Sequence, residues 1–170
     1  DLGTGSGAIG LSIAVERIGT RVWCTDVSTG ALAVARANCA GLGRPARRVT
    51  LAEGSWFEAL PTELESSFDV VVANPPYVDP ATGETLDPEV RDHEPHMALT
   101  DGGDALAAYR AITRDAPAHL ALGGRLMVEI GPTQGPAVAG LMTGAGLADV
   151  TVLQDLDGRD RVVAGRLQAV

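Results

Sequence analysis

Lysine is absent from this chain. All 13 basic residues are Arg, against 22 Asp and Glu, and the formal net charge is −9. Such a chain is poorly suited to gripping phosphate backbones over a wide face. No apolar run approaches the roughly 18–20 residues of a membrane-spanning helix, so no membrane partner is expected. Cysteine is scarce: Cys24 and Cys39 cannot form a disulfide framework. A reducing compartment, the cytoplasm, is expected. His93, His96 and His119 stand at no metal-ligand spacing with either cysteine, and no metal is expected. No basic and apolar leader precedes the glycine-rich opening at Asp1, so a secretory signal is not expected. Aromatics make up only 4%. What remains is ordinary: 170 residues, 45% apolar and 21% charged, the proportions of one globular domain.

The pattern alternates. Ala8–Ile18 reads as a helix stopped by Gly19, and residues 21–26 as a short strand. Ser28 can cap a helix running to about Ala40, closed by Gly41. Residues 48–52 read as a second strand. Phe68–Ala73 is nearly all apolar, which suits a parallel strand buried on both faces. Asp104–Leu120 reads as a helix, with Pro117 distorting its last turn. Gly123 and Gly124 lead into the strand Arg125–Ile130, and Thr133–Thr143 reads as a helix. Residues 148–156 and 161–167 read as strands joined by a hairpin turn at Asp157-Gly158. Strands alternating with helices imply an α/β fold with a mostly parallel sheet, closed by an antiparallel hairpin. A glycine loop of this kind normally follows a buried strand, and none precedes it. The expectation is therefore a domain whose first strand is missing.

Gly3, Gly5, Gly7 and Gly10 open the first helix. Glycine allows positive φ and close backbone approach, and the helix start offers N–H groups to an anion. Gly5-x-Gly7-x-x-Gly10 matches the dinucleotide fingerprint. Asp26 ends the next strand about 20 residues on, where a carboxylate can accept both ribose hydroxyls. Together they indicate a ribose-bearing cofactor, either NAD or S-adenosylmethionine. Asp1, a carboxylate beside the loop, suits an amine-bearing cation better than a pyrophosphate.

Asn74-Pro75-Pro76-Tyr77 directly follows the strand 68–73. Ligands of open α/β sheets sit at such carboxyl ends. Two prolines remove two N–H donors and stiffen the turn. Acceptors remain, the Asn74 side-chain oxygen and the Pro75 carbonyl, with the Tyr77 ring alongside. That set suits a planar –NH2 conjugated to a π-system. Held by both hydrogens and aimed at an electrophilic methyl, this weak nucleophile gains orientation.

These stretches resemble the glutamine N5-methyltransferases of peptide chain release factors, a class I S-adenosylmethionine-dependent family. The resemblance rests on DLGTGSGAIGL at 1–11, TDVSTGALAVARAN at 25–38, GSWFEAL at 54–60 and VVANPPYV at 71–78. It continues through HEPHMAL at 93–99, DGGDAL at 101–106, LGGRLMVEIGPTQG at 122–135 and DLDGRDRVV at 155–163. It implies a Rossmann-like sheet whose missing first strand is central, and an absent upstream helical region that helps hold the substrate. It implies methyl transfer from S-adenosylmethionine to the side-chain amide of the Gln in a release factor's Gly-Gly-Gln loop. A cytoplasmic monomer without direct nucleic-acid contact is expected. By position, Asp1 and Gly3, Thr4, Gly5, Ser6 and Gly7 would hold the methionine part. Asp26 would hold the ribose and Trp56 would border the adenine. Asn74 would touch cofactor and substrate amide, with Pro75, Pro76 and Tyr77 completing the amide pocket.

Several residues keep two readings. Trp56 and Phe57 suit core packing as well as adenine contact. Glu129 can orient the site or cap the following helix. Arg159 and Arg161 can be solvated or paired. Cys24 and Cys39 read as buried inert thiols. Residues 79–104 carry eight acids and one Arg, Arg91, so −7 of the −9 lies there. That long segment reads as a lid, meeting basic residues around the substrate loop. It argues against the competing reading, N-methylation of an exocyclic amino group in DNA or RNA, which needs a cationic groove. A non-catalytic scaffold is the competitor from another class.

Overall fold

A computed structural model of the chain describes residues 1–77 and 105–168. The acidic stretch 79–104, with His93 and His96, lies outside the described residues. Helix α1 (Ala8–Glu16), strand β1 (Val22–Asp26), helix α2 (Thr29–Ala40) and strand β2 (Val49–Glu53) come first. Ser28 caps α2 as expected, its hydroxyl accepting from the Ala31 N–H at 3.2 Å. Three short 3-10 turns, Arg44–Arg48, Trp56–Ala59 and Thr62–Leu64, were not visible as periodicity. Strand β3 (Phe68–Ala73) ends at the Asn74 turn. Then come α3 (Ala107–His119), β4 (Leu120–Glu129), α4 (Gly135–Gly144) and the hairpin of β5 (Leu147–Gln154) and β6 (Asp160–Leu167).

β1 and β2 pair in parallel, as do β3 and β4; β6 runs antiparallel between β4 and β5. Leu2 joins the two groups, with one parallel bridge to Thr25 and another to Ala73. Its N–H donates to the Val72 carbonyl at 2.9 Å, and the Thr25 N–H donates to the Asp1 carbonyl at 2.9 Å. The order across the sheet is thus β2-β1-Leu2-β3-β4-β6-β5. Buried residues form a large cluster around Tyr109, Ile112, Leu126 and Val128, and a smaller one of Ala14, Val22 and Cys24 under α1.

Three expectations need correction. Cys39, read as buried, is half-exposed on α2. β3 is not buried on both faces: Val71 and Ala73 are buried, but Val70 is 48% exposed. Among the described residues, only Leu2 pairs with the β1-facing edge of β3, so no strand shields the positions before it. Gly123 and Gly124 do not precede β4 but lie inside it. Phe68 pairs with Leu120 and Val70 with Arg125, so the ladder carries a bulge. Gly123 has φ +84°, and a Cβ on Gly124 would meet the Phe68 carbonyl at 2.6 Å, which is why the bulge takes glycine.

The hairpin turn is organised by Asp155. Its carboxylate accepts the N–H groups of Asp157 and Arg159 at 2.9 and 3.0 Å and pairs with Arg161 at 3.5 Å. The Arg159 N–H, foremost among these, holds the Asp155 carboxyl below its ordinary range. Arg159 therefore contributes through its backbone, and Arg161 through its side chain.

Candidate active site

The register of Leu2 decides where the site lies. Gly3 begins the loop, Asp26 follows Thr25 and Asn74 follows Ala73, so the double bridge brings all three to one edge of the sheet. No other described residue is paired to both strands.

The loop is bound internally. Gly3, Gly5 and Gly7 all have positive φ. A Cβ on Gly7 would sit 2.8 Å from Leu11 Cδ1, and one on Gly10 would sit 2.4 Å from Cys24 Sγ. Asp1 braces the turn: its Oδ2 accepts the Thr4 hydroxyl at 2.5 Å and the Gly10 N–H at 2.9 Å. The Thr4 N–H donates to the Thr25 carbonyl at 2.9 Å, and Thr4 is buried. Ser6 is exposed, with its carbonyl held by Asn38 Nδ2 at 2.9 Å.

Asp26 is buried and ties the loop to β1. Its Oδ2 accepts the Gly5 N–H at 2.8 Å, and its Oδ1 accepts the Ser28 N–H at 2.8 Å. Each carboxylate oxygen can accept more than one hydrogen bond, so both can still receive a ribose hydroxyl. Trp56 is half-buried, and its backbone takes φ +46°, unusual for a large side chain. The Thr25 hydroxyl donates to its carbonyl at 3.2 Å. Its ring lies over the loop: a Cβ on Gly3 would be 3.1 Å from Trp56 Cζ3. Trp56 thus packs on the main cluster, as one of its readings had it, and its ring borders the loop. Phe57 is buried and stacks on His119, ring centroids 4.4 Å apart, so it belongs to the core.

At the exit of β3, Asn74 is exposed, Pro75 is fully buried, and Pro76 and Tyr77 are half-buried. Pro75 thus anchors a turn whose Asn74 stands at the surface. The Tyr77 carbonyl accepts from Gln134 Nε2 at 3.1 Å, a residue the sequence reading gave no role. Glu129 does not cap α4: Gln134 precedes that helix, without a side-chain cap bond. The Glu129 carbonyl instead accepts the buried Tyr109 hydroxyl at 2.9 Å. Among the described residues no three His, Cys, Asp or Glu side chains group as a metal site.

A glycine loop opening a helix, a carboxylate ending the next strand and an acceptor-rich turn ending β3 share one edge of an α/β sheet. They define the class as a Rossmann-like methyltransferase fold. The chain belongs to the methyltransferase small domain family, whose model matches residues 1–91. It is 53% identical over 169 residues to a release factor glutamine methyltransferase of Cereibacter sphaeroides, covering 99% of this chain and 59% of that protein. A protein of the same description from Xylella fastidiosa strain Temecula1 is 46% identical over 98% of this chain and 58% of its own. The chain therefore spans under two thirds of the length of these relatives. Solved structures share the fold. A methyltransferase from Pyrococcus furiosus superposes with TM-score 0.70 at 17% identity, over 99% of this chain and 73% of that one. A ribosomal protein L11 methylase from Lactobacillus delbrueckii subsp. bulgaricus gives 0.67 at 18% identity, over 98% and 68%.

Proposed function

We propose that this chain forms the catalytic part of an S-adenosylmethionine-dependent enzyme that methylates the side-chain amide of a release factor's Gly-Gly-Gln glutamine. The double pairing of Leu2 carries the reading, because it sets the cofactor-type loop, Asp26 and Asn74 side by side. The names of relatives at 53% and 46% identity support the substrate, and favour it over an amino group in DNA or RNA.

The residues present fit the cofactor. The loop's N–H groups at the start of α1 suit the carboxylate of a methionine moiety. Asp26 keeps acceptor capacity for two ribose hydroxyls, and the Trp56 ring offers an apolar face for adenine. When bound, S-adenosylmethionine supplies an electrophilic methyl on a positively charged sulfur. Asn74 Oδ1 and the Pro75 carbonyl accept the two hydrogens of the substrate amide and aim its nitrogen. Tyr77 packs on the amide plane. Orientation of this kind contributes several kcal/mol, roughly 7–11 in ideal cases. In the transfer the methyl's bond to sulfur would break as its bond to nitrogen forms, leaving a neutral thioether, and the nitrogen, turning acidic, would lose one proton to the surrounding acceptors and solvent. No strong base is needed beforehand.

The test is transfer of labelled methyl from S-adenosylmethionine to a release factor, beside its Gly-Gly-Ala variant, DNA and ribosomal RNA. Incorporation into the Gly-Gly-Gln protein alone is expected. Transfer only to nucleic acid, or equally to the Gly-Gly-Ala protein, would overturn the proposal.

A further inference from the structure

Gln134 has four bonds on one amide. Its Oε1 accepts the Gly131 N–H at 2.9 Å and shares the single Tyr109 hydroxyl proton, at 3.2 Å, with the Glu129 carbonyl. Its Nε2 donates to the Tyr77 carbonyl at 3.1 Å and to the Ala105 carbonyl at 3.2 Å. The orientation is forced: only –NH2 can face two carbonyls, and only the oxygen can receive an N–H. The amide therefore links three places. One is the end of β4, held further by the Tyr109 bond to the Glu129 carbonyl at 2.9 Å. The second is Tyr77, the last residue of the Asn-Pro-Pro-Tyr turn. The third is Ala105, which sits at φ +59°, unfavourable for a residue with a Cβ.

We propose that Gln134 is a positioning residue for methyl transfer. It fixes the Tyr77 carbonyl from behind and so sets the angle at which Asn74 and Pro75 present their acceptors. The proposal rests on the amide-methylating reading of the turn. Three observations carry it beyond a helix cap. Gln134 makes no side-chain cap bond to α4. Both amide protons go to backbone on the substrate side of the sheet rather than to its own helix. The Tyr77 ring also lies beside Gly131, where an added Cβ would meet Tyr77 Cδ2 at 3.5 Å. Ring and carbonyl of Tyr77 are thus both referred to the end of β4. With two prolines before it, the turn has little other freedom, so fixing its far end fixes its direction.

The informative variant is Gln134→Glu. It keeps the shape and the acceptor that serves Gly131 and Tyr109, but an ionised carboxyl gives no proton to either carbonyl. We expect kcat to fall by about 10- to 100-fold, the scale of a misplacement of roughly 1 Å. The affinity for S-adenosylhomocysteine should stay within a few-fold of wild type. A carboxyl facing two carbonyls is favoured in its protonated form, which restores one donor. The ratio of variant to wild-type kcat should therefore rise as pH falls from about 8 to about 5.5, a recovery that general loss of structure would not produce. Tyr109→Phe removes the hydroxyl shared by Gln134 Oε1 and the Glu129 carbonyl but leaves both bonds from Nε2, and should keep kcat within about three-fold. If Gln134→Glu does not fold, Gln134→Asn, too short to reach both carbonyls, carries the comparison of kcat and resonances, without the recovery at low pH.

NMR resonances of Asn74 and Tyr77 give a readout independent of turnover. They should shift in Gln134→Glu while those of Gly3–Gly7 stay put. A wild-type protein that methylates no release factor, with these resonances still moving, would sink the functional reading and leave the positioning role standing. An active wild type, with kcat, pH profile and resonances unchanged in the variant, would overturn the positioning role.

Discussion

Gly10→Ala tests how tightly the glycine loop is set on β1. Gly10 is buried in the first turns of α1, and a Cβ there would lie 2.4 Å from Cys24 Sγ. That is about 1 Å inside the roughly 3.5 Å at which carbon contacts become favourable. Cys24 is 0% exposed in the middle of β1, so its sulfur has nowhere to turn. The new methyl would also approach Asp1 Oδ2 at 3.0 Å, the atom that accepts the Gly10 N–H. Overpacking of this sort costs about 1–3 kcal/mol, and the gain in helix propensity from Gly to Ala returns about 1 kcal/mol at most. The net expectation is a loss of about 1–2 kcal/mol. For a chain of this size each kcal/mol moves Tm by about 2–4 °C. Thermal melting in two backgrounds isolates the cause. In wild type, Gly10→Ala should lower Tm; in Cys24→Ala, where the sulfur is gone, it should be close to neutral. A coupling of about 1 kcal/mol or more between the substitutions is expected. Equal shifts in both backgrounds would refute the contact as the origin. Because the clash pushes on the Asp1 brace, S-adenosylhomocysteine binding should also weaken in the single variant and recover in the double.

Asn74→Ala should leave cofactor binding partly intact and lower turnover by about 100-fold or more; near-normal rates would remove the amide clamp from the mechanism. Burial raises the Cys24 thiol above its ordinary range, against the lowering effect of the Thr4 hydroxyl. Since only the thiolate reacts, alkylation at pH 8 should label half-exposed Cys39 and spare Cys24 in the folded chain; mass spectrometry showing equal labelling would contradict the packing under α1. Adding about five apolar β-branched residues before Asp1 should extend the Leu2 pairing along both β1 and β3, cover Val70, and raise Tm by more than about 4 °C; an unchanged Tm would mean that the β3 edge does not accept a strand there.

Much of the fold was legible because its signals are local. Ser28 and Gly41 mark the ends of α2 through their own chemistry, and Asp157-Gly158 marks the hairpin. Long-range geometry was not legible in the same way. Val70 looks buried by composition, yet its exposure depends on what lies beside β3, which its own sequence does not encode. Gly123 and Gly124 read as a loop because glycine pairs punctuate elements. Their use here is to let β4 pass the Phe68 carbonyl while staying paired.

The site shows the same division. Gly3–Gly7, Asp26 and Asn74–Tyr77 stand out because each motif announces its chemistry in a few adjacent residues, and the structure sets all three on one edge through Leu2. Leu2 itself carries no chemical signal; its importance is its register. Gln134 escaped notice for a related reason. A lone Gln before a helix reads as an ordinary surface residue, and nothing in the chain connects it with Tyr77, 57 positions earlier. A signal was nevertheless present. The Asn-Pro-Pro-Tyr turn gives up two N–H donors and exposes successive carbonyls, and a turn made of acceptors needs donors from elsewhere to hold it still. The residues that could supply them are those following the neighbouring parallel strand, because strands side by side deliver their exits to the same edge. Searching the exit of β4 for a side chain with two protons and one acceptor leads to Gln134. Sites built on acceptor-rich turns should therefore be read together with the donors at the end of the adjacent strand.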